Sequence, residues 1–226
     1  ASSSSASPVY LLTRNKMELQ LWRTGTFTLG ETPAVSSPPE YLLRINTAEK
    51  GRTWNLIASA ISPDGRWIAA SSAHFLKLYR YSLTANTVEC VATKSLPASN
   101  CLLFTPDSKM LVCGGLDRYV SVVLLENASV RAKLPLKAAD KMADPGCVIA
   151  LSISSDMRWL AVSDHLFNLS IYDLQLFKLS HITPSLGQST LAMAFQPGST
   201  TLAVVTSRNE LYAIDVVKKE FTPWSR

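Results

Sequence analysis

Four short phrases at nearly even intervals constrain this chain more than any other feature. The clearest is "ISPDGRWIAASS", Ile61 to Ser72: an apolar strand end, a tight turn, then a second apolar strand. The turns are Ser62-Pro63-Asp64-Gly65, Thr105-Pro106-Asp107-Ser108, Ser154-Ser155-Asp156-Met157 and Gln196-Pro197-Gly198-Ser199. Their second positions are separated by 43, 49 and 42 residues. A period of about 40–45 residues marks the blades of a propeller, in which each small sheet buries its faces only by stacking on its neighbours. The longer step is assigned to an alanine-rich, charged insertion within 127–146.

Each unit reads alike. A first strand of small and apolar residues (Leu56 to Ile61, Cys101 to Phe104, Val148 to Ile153, Leu191 to Phe195) leads into the turn. A second strand follows at Trp67, Met110, Trp159 and Thr201, and a third at Leu76 to Tyr81, Tyr119 to Leu124, Leu169 to Tyr172 and Glu210 to Ile214. A fourth, more polar strand is expected outermost, starting near Val88, Val130, Lys178 and Glu220. The middle strands are near-continuous apolar runs, as expected for strands covered on both faces. Proline presets the turn's second position, and Asp and Gly suit the later ones.

The chain opens in mid-blade. Val9 to Leu12 and Glu18 to Trp22 read as strands of a preceding unit, and "LQLW" at Leu19 to Trp22 occupies the place of "LKLY" at Leu76 to Tyr79. The expected fold is therefore all-β: a WD40-type β-propeller with about four full blades plus part of a fifth, an incomplete ring or a fragment of a larger propeller. The expected layout is a serine-rich disordered tail over 1–7, a blade end over 8–24, a loop over 25–40, and blades over roughly 41–95, 96–137, 146–183 and 187–226.

Composition excludes several function classes. Of 226 residues, 47% are hydrophobic and 17% charged, which fits a packed core rather than a disordered chain. No apolar run approaches the ~18 residues of a membrane span. The four cysteines, Cys90, Cys101, Cys113 and Cys147, have no CxxC spacing, so no metal site and no cofactor is expected; they read as buried thiols of a reducing compartment. The formal net charge of +5 suits an acidic partner such as RNA, but equally suits a protein that binds none. Walker, GxSxG and HExxH motifs are absent, so neither catalysis nor a small-molecule substrate is expected.

The repeated turn phrase and the aromatic ends of the third strands resemble WD40 repeats. The Trp-Asp pair is degenerate: Trp22-Arg23, Tyr79-Arg80, Tyr172-Asp173 and Ile214-Asp215, with Leu124-Leu125 read as the unit that has lost it. A more specific resemblance rests on the order of "LQLW", "ISPDGRWIAASSAHFLKLYR", "LAVSDHLFNLSIYDLQLFKL", "LAMAFQP" and "KKEFTPWSR". Together, from about Leu11 to Arg226, they resemble the cirhin family, WD40 subunits of the UtpA (t-UTP) subcomplex of the small-subunit processome. The resemblance implies the second of two tandem propellers, in a family that continues past Trp224 to Arg226. It further implies a nucleolar, non-catalytic scaffold, with other UtpA subunits and processome proteins as partners. Contact with the 5′ external transcribed spacer of pre-rRNA and support of 18S rRNA maturation and rDNA transcription are implied too. A generic adaptor in ubiquitin ligation or signalling is the alternative.

Candidate contact residues fall in three groups, each with an ordinary structural reading beside it. Arg66, Lys109 and Arg158 hold one equivalent place after each turn, with Thr200 in the fourth. On one rim they form a basic arc able to meet phosphates, or are ordinary solvated turn residues. Trp224 and Arg226 either grip a base or a protein partner or pack on a further blade. Lys133, Lys137 and Lys141, in the insertion, form either a short helix against a partner or a solvated loop. His74 and His165, in the links between second and third strands, are read as structural.

Overall fold

The computed structural model describes residues 9–28, 34–48, 54–92, 96–136 and 147–225. The first sheet is β1 (Tyr10–Asn15), β2 (Glu18–Arg23) and β5 (Glu40–Asn46), with a short ribbon, β3 (Thr26–Thr28) and β4 (Ala34–Ser37), between β2 and β5. Four four-stranded antiparallel sheets follow in chain order. They are β6 (Leu56–Ile61), β7 (Trp67–Ser72), β8 (Leu76–Ser82), β9 (Thr87–Ala92); β10 (Ser99–Phe104), β11 (Met110–Gly115), β12 (Tyr119–Leu124), β13 (Ser129–Pro135); β14 (Val148–Ile153), β15 (Trp159–Asp164), β16 (Leu169–Asp173), β17 (Lys178–Ile182); and β18 (Thr190–Phe195), β19 (Thr201–Thr206), β20 (Leu211–Asp215), β21 (Glu220–Phe221). This is a WD40-type β-propeller architecture, all-β as the repeat requires, with one 3-10 turn at Pro223–Ser225.

Four apolar cores hold the sheets together, one at each junction. Leu19, Leu21, Ile68 and Tyr79 fill the first; Leu76, Leu78, Leu111 and Val123 the second. Val112, Val122, Leu160 and Tyr172 fill the third, and Ile171, Leu202, Val204 and Ile214 the fourth. Alternation explains this. In β7, Ile68 and Ala70 face one neighbour while Trp67 and Ala69 face the other, so all six residues are buried. The first strands β6, β10, β14 and β18 neighbour one another in turn, as strands nearest an axis must.

Three sequence expectations change. Residues 40–46 join the first sheet as its outer strand, so a boundary at 41 falls inside β5; the backbone tie from Thr47 N–H to the Met17 carbonyl (2.9 Å) fixes it there. Between 25 and 40 lies the β3–β4 ribbon. The degenerate Trp-Asp place in the third unit is Val123-Leu124, not Leu124-Leu125. Register decides it: Leu111 faces Val123 as Ile68 faces Tyr79 and Leu160 faces Tyr172. Val123 fills the aromatic's place in the core, so the position keeps its apolar role.

Candidate functional site

The turns between first and second strands lie together at one end of the sheets. The Asp64 N–H donates to the Ser108 hydroxyl of the next sheet's turn at 3.2 Å, and the Gly198 N–H donates to the Ser155 hydroxyl at 3.0 Å. Each of the first three turns is built identically. The Ser62, Thr105 and Ser154 hydroxyls donate to Asp64, Asp107 and Asp156. Each carboxylate then accepts the N–H of the following Arg66, Lys109 or Arg158, at 3.1 Å in all three. The same hydroxyls accept the N–H of Trp67, Met110 and Trp159 at 2.9, 3.0 and 2.9 Å. In the fourth turn Gln196 has no such hydroxyl, and Ser199 caps the Thr201 N–H instead. Sequence reading missed the hydroxyl partner; a Ser/Thr-x-Asp spacing was its signal, since such side chains bond backbone two residues on.

One position in each turn takes a left-handed backbone: Gly65 (φ 72°), Ser108 (55°), Met157 (59°) and Gly198 (67°). Only at Gly65 is space also decisive, because a Cβ would meet the Tyr10 ring at 2.6 Å.

These turns place Arg66, Lys109, Arg158 and Thr200 equivalently. The carbonyl of each accepts an N–H from the end of the third strand: Tyr81, Leu125, Leu174 and Val216, at 2.7, 3.0, 2.8 and 3.1 Å. The arc is not uniformly basic, however. Asp64, Asp107 and Asp156 sit two residues before each cation. Arg158 also bonds Asp173 (Nε to Oδ2, 3.4 Å) and lies 4.9 Å over the Trp159 ring. The Ser154 hydroxyl, helped to a lesser extent by the Arg158 N–H and charge, holds the Asp156 carboxyl below its usual range against the opposing effect of burial. The rim is thus rigid and of alternating charge.

The other candidates lie apart from it. Lys133 is exposed on the outer strand β13, opposite Ser121, so it stands on a sheet edge rather than on a helix. Trp224 is 67% exposed in the 3-10 turn, where the Ser225 hydroxyl accepts the Ala213 N–H. Lys137, Lys141 and Arg226 lie outside the described residues.

At the opposite end of the sheets, the histidines make local contacts. His165 Nδ1 accepts the Cys147 N–H at 2.9 Å, and His74 packs on Trp54 with centroids 3.6 Å apart and the rings tilted by 46°. Burial pushes the Cys101 thiol up to about 11 and Cys113 to about 12, so neither is a thiolate near neutrality. Among the described residues no three or more His, Cys, Asp or Glu side chains gather as metal ligands.

The profile of the WD domain, G-beta repeat family matches residues 85–123. That span takes the outer strand of one sheet and three strands of the next. Over 216 residues and 92% of its length, the chain is 28% identical to the U3 small nucleolar RNA-associated protein 4 homologs of Mus musculus and of Homo sapiens. It is 29% identical, over 94% of its length, to U3 small nucleolar RNA-associated protein 4 of Schizosaccharomyces pombe. The chain spans about a third of these relatives, 31% of the mouse and human proteins and 30% of the yeast one.

Proposed function

We propose that this chain is a non-catalytic propeller segment of a cirhin-family protein, acting in the nucleolus in assembly of the small ribosomal subunit. In this reading it holds other UtpA subunits and processome proteins in place around nascent pre-rRNA, including the 5′ external transcribed spacer. Maturation of 18S rRNA, and through the same subcomplex rDNA transcription, depend on that placement. The likeness to proteins named for association with U3 small nucleolar RNA, over 92% of this chain, carries the reading. The rim supports its scaffold part: three hydroxyl–carboxylate turns fix a row of outward side chains on a rigid stack, the arrangement a recognition surface needs. Because carboxylates alternate with Arg66, Lys109 and Arg158, the rim suits protein partners better than a continuous phosphate track.

The test is a tagged pull-down of the full-length protein from nuclear extract, with and without RNase, read by mass spectrometry. Recovery of a stable set of processome proteins that survives RNase is expected. Loss of that set on RNase would make pre-rRNA the tether and the protein scaffold wrong. Recovery of ubiquitin-ligase or signalling partners instead would overturn the family reading.

A further inference from the structure

At the position after the aromatic of each third strand the sheets differ: the first sheet carries Arg23, ion-paired with Glu40 at 3.3 Å, and the β10–β13 sheet carries Leu124, after Val123. In the β14–β17 sheet this place is Asp173, whose carboxylate accepts the Gln175 and Leu176 N–H groups at 2.9 and 3.0 Å and meets Arg158. In the last sheet it is Asp215, which accepts the Val217 and Lys218 N–H groups at 3.0 and 3.1 Å and the Thr200 hydroxyl at 3.3 Å. In the β6–β9 sheet it is Arg80, directly opposite Trp67 as Asp173 is opposite Trp159. The carboxylate is gone and a second guanidinium stands there. Arg80 takes the face of Trp67, 4.8 Å from its centroid, which in the other sheet Arg158 takes on Trp159. Arg66 is left without either partner. Among the described residues neither Arg66 nor Arg80 forms an ion pair.

The hairpin that follows is also longer. In β16–β17 the last paired residues before the turn are Asp173 and Lys178; in β8–β9 pairing runs on past Arg80 and Glu89 to Ser82 and Thr87. The ladder therefore projects two residues further per strand and overhangs the rim. Between the overhang and the turn lies a cleft of about 400 Å³, lined by Arg66, Trp67, Arg80, Tyr81, Ser82, Thr87 and Glu89.

We propose that this cleft binds an acidic side chain, Asp or Glu, on an extended segment of a protein partner. The segment's carboxylate lies between Arg66 and Arg80, where Asp173 lies in the β14–β17 sheet, and Glu89 accepts a backbone N–H of the same segment. Two guanidinium forks on one carboxylate are geometrically selective, and a partly desolvated cleft beside a tryptophan strengthens the pairing. The observations favour a peptide over RNA. Glu89 in the wall and Asp64 in the adjoining turn tolerate a lone carboxylate with a donor beside it, but repel a run of phosphates. The inference rests on the scaffold reading above and names the chemistry of one of its partners.

The test is fluorescence polarisation of the purified chain at physiological salt with two probes. One is a labelled glycine–serine decapeptide carrying two glutamates; the other is a labelled ten-nucleotide oligouridylate. The peptide is expected to bind, to weaken about tenfold in Arg66→Gln and in Arg80→Gln, and to be unchanged in Lys109→Gln. Circular dichroism and unchanged melting of each variant show that the fold is kept; the arginines are exposed, so it should be. No saturable peptide binding, equal weakening in Lys109→Gln, or tighter binding of the oligouridylate through the same arginines would each overturn the proposal. Repeating the pull-down with the Arg66→Gln, Arg80→Gln double variant separates the two claims. Persistence of all processome partners, alongside lost peptide binding, removes the cleft from assembly and leaves the scaffold reading standing.

Discussion

The β14–β17 sheet and the β18–β21 sheet carry nearly the same pattern and live in different surroundings. Leu169 and Leu211 hold the same place, four residues before Asp173 and Asp215, yet Leu169 is 2% exposed and Leu211 48%. All five residues of β16 are buried; in β20 only Ile214 is. Ile214 faces the neighbouring sheet, and Leu211 and Leu191 (61% exposed) lie outside the four cores. Apolar patterning in a propeller strand thus records the demand for neighbours on both faces. Burial records how many neighbours are present.

The largest test of that difference is a pair of truncations. Leu169→Ala should cost about 2–5 kcal/mol, the range for a buried leucine, whereas Leu211→Ala should cost under about 1 kcal/mol. Urea unfolding of both variants checks it, and equal losses would break the comparison.

The turns sharpen the same contrast. Gly65→Ala must hold a left-handed backbone and push against the Tyr10 ring, for a cost of about 2–3 kcal/mol. Gly198→Ala also holds a left-handed backbone, but its Cβ meets nothing within 4 Å, so it should cost only about 1 kcal/mol for its backbone. Melting temperatures of the two variants rank them.

A smaller effect is expected from acid. The Asp156 carboxyl is held below its usual range, so it binds its proton less readily folded than unfolded. Its contribution is therefore present above the ordinary aspartate range and is lost as pH falls through the depressed folded value. Asp156→Asn should remove that part of the acid dependence, while Ser199→Ala in the fourth turn, which has no such carboxylate, should leave the profile unchanged. Stability measured against pH in the three proteins decides it.

Much of this architecture was legible because the repeat is local. The strand spans Leu56–Ile61, Tyr119–Leu124 and Val148–Ile153 follow from apolar runs between Pro, Asp and Gly turns. What escaped depends on pairing across strands. The Val123-Leu124 place is set by register with β11, and a one-residue slip is invisible in a run as apolar as Val122 to Leu125. The left-handed residues Arg118, Phe167 and Phe177 carry no glycine or asparagine to announce them. Of the candidate contacts, the equivalence of Arg66, Lys109 and Arg158 was readable from spacing. That Arg158 is already occupied by Asp173 and Trp159 was not, because Asp173 lies on another strand. Nor was the Arg66–Arg80 cleft, which needs the overhang of β8–β9.

Amide hydrogen exchange, resolved by strand, is the most direct test when run on the free chain and on the complex that the pull-down recovers. Slow exchange is expected in β11, β12, β15 and β16 in both states. Faster exchange is expected across β18 and β20 in the free chain, with new protection in the complex at the rim turns around Arg66. Uniform protection of all sheets in the free chain, or an unchanged rim in the complex, would contradict this pattern.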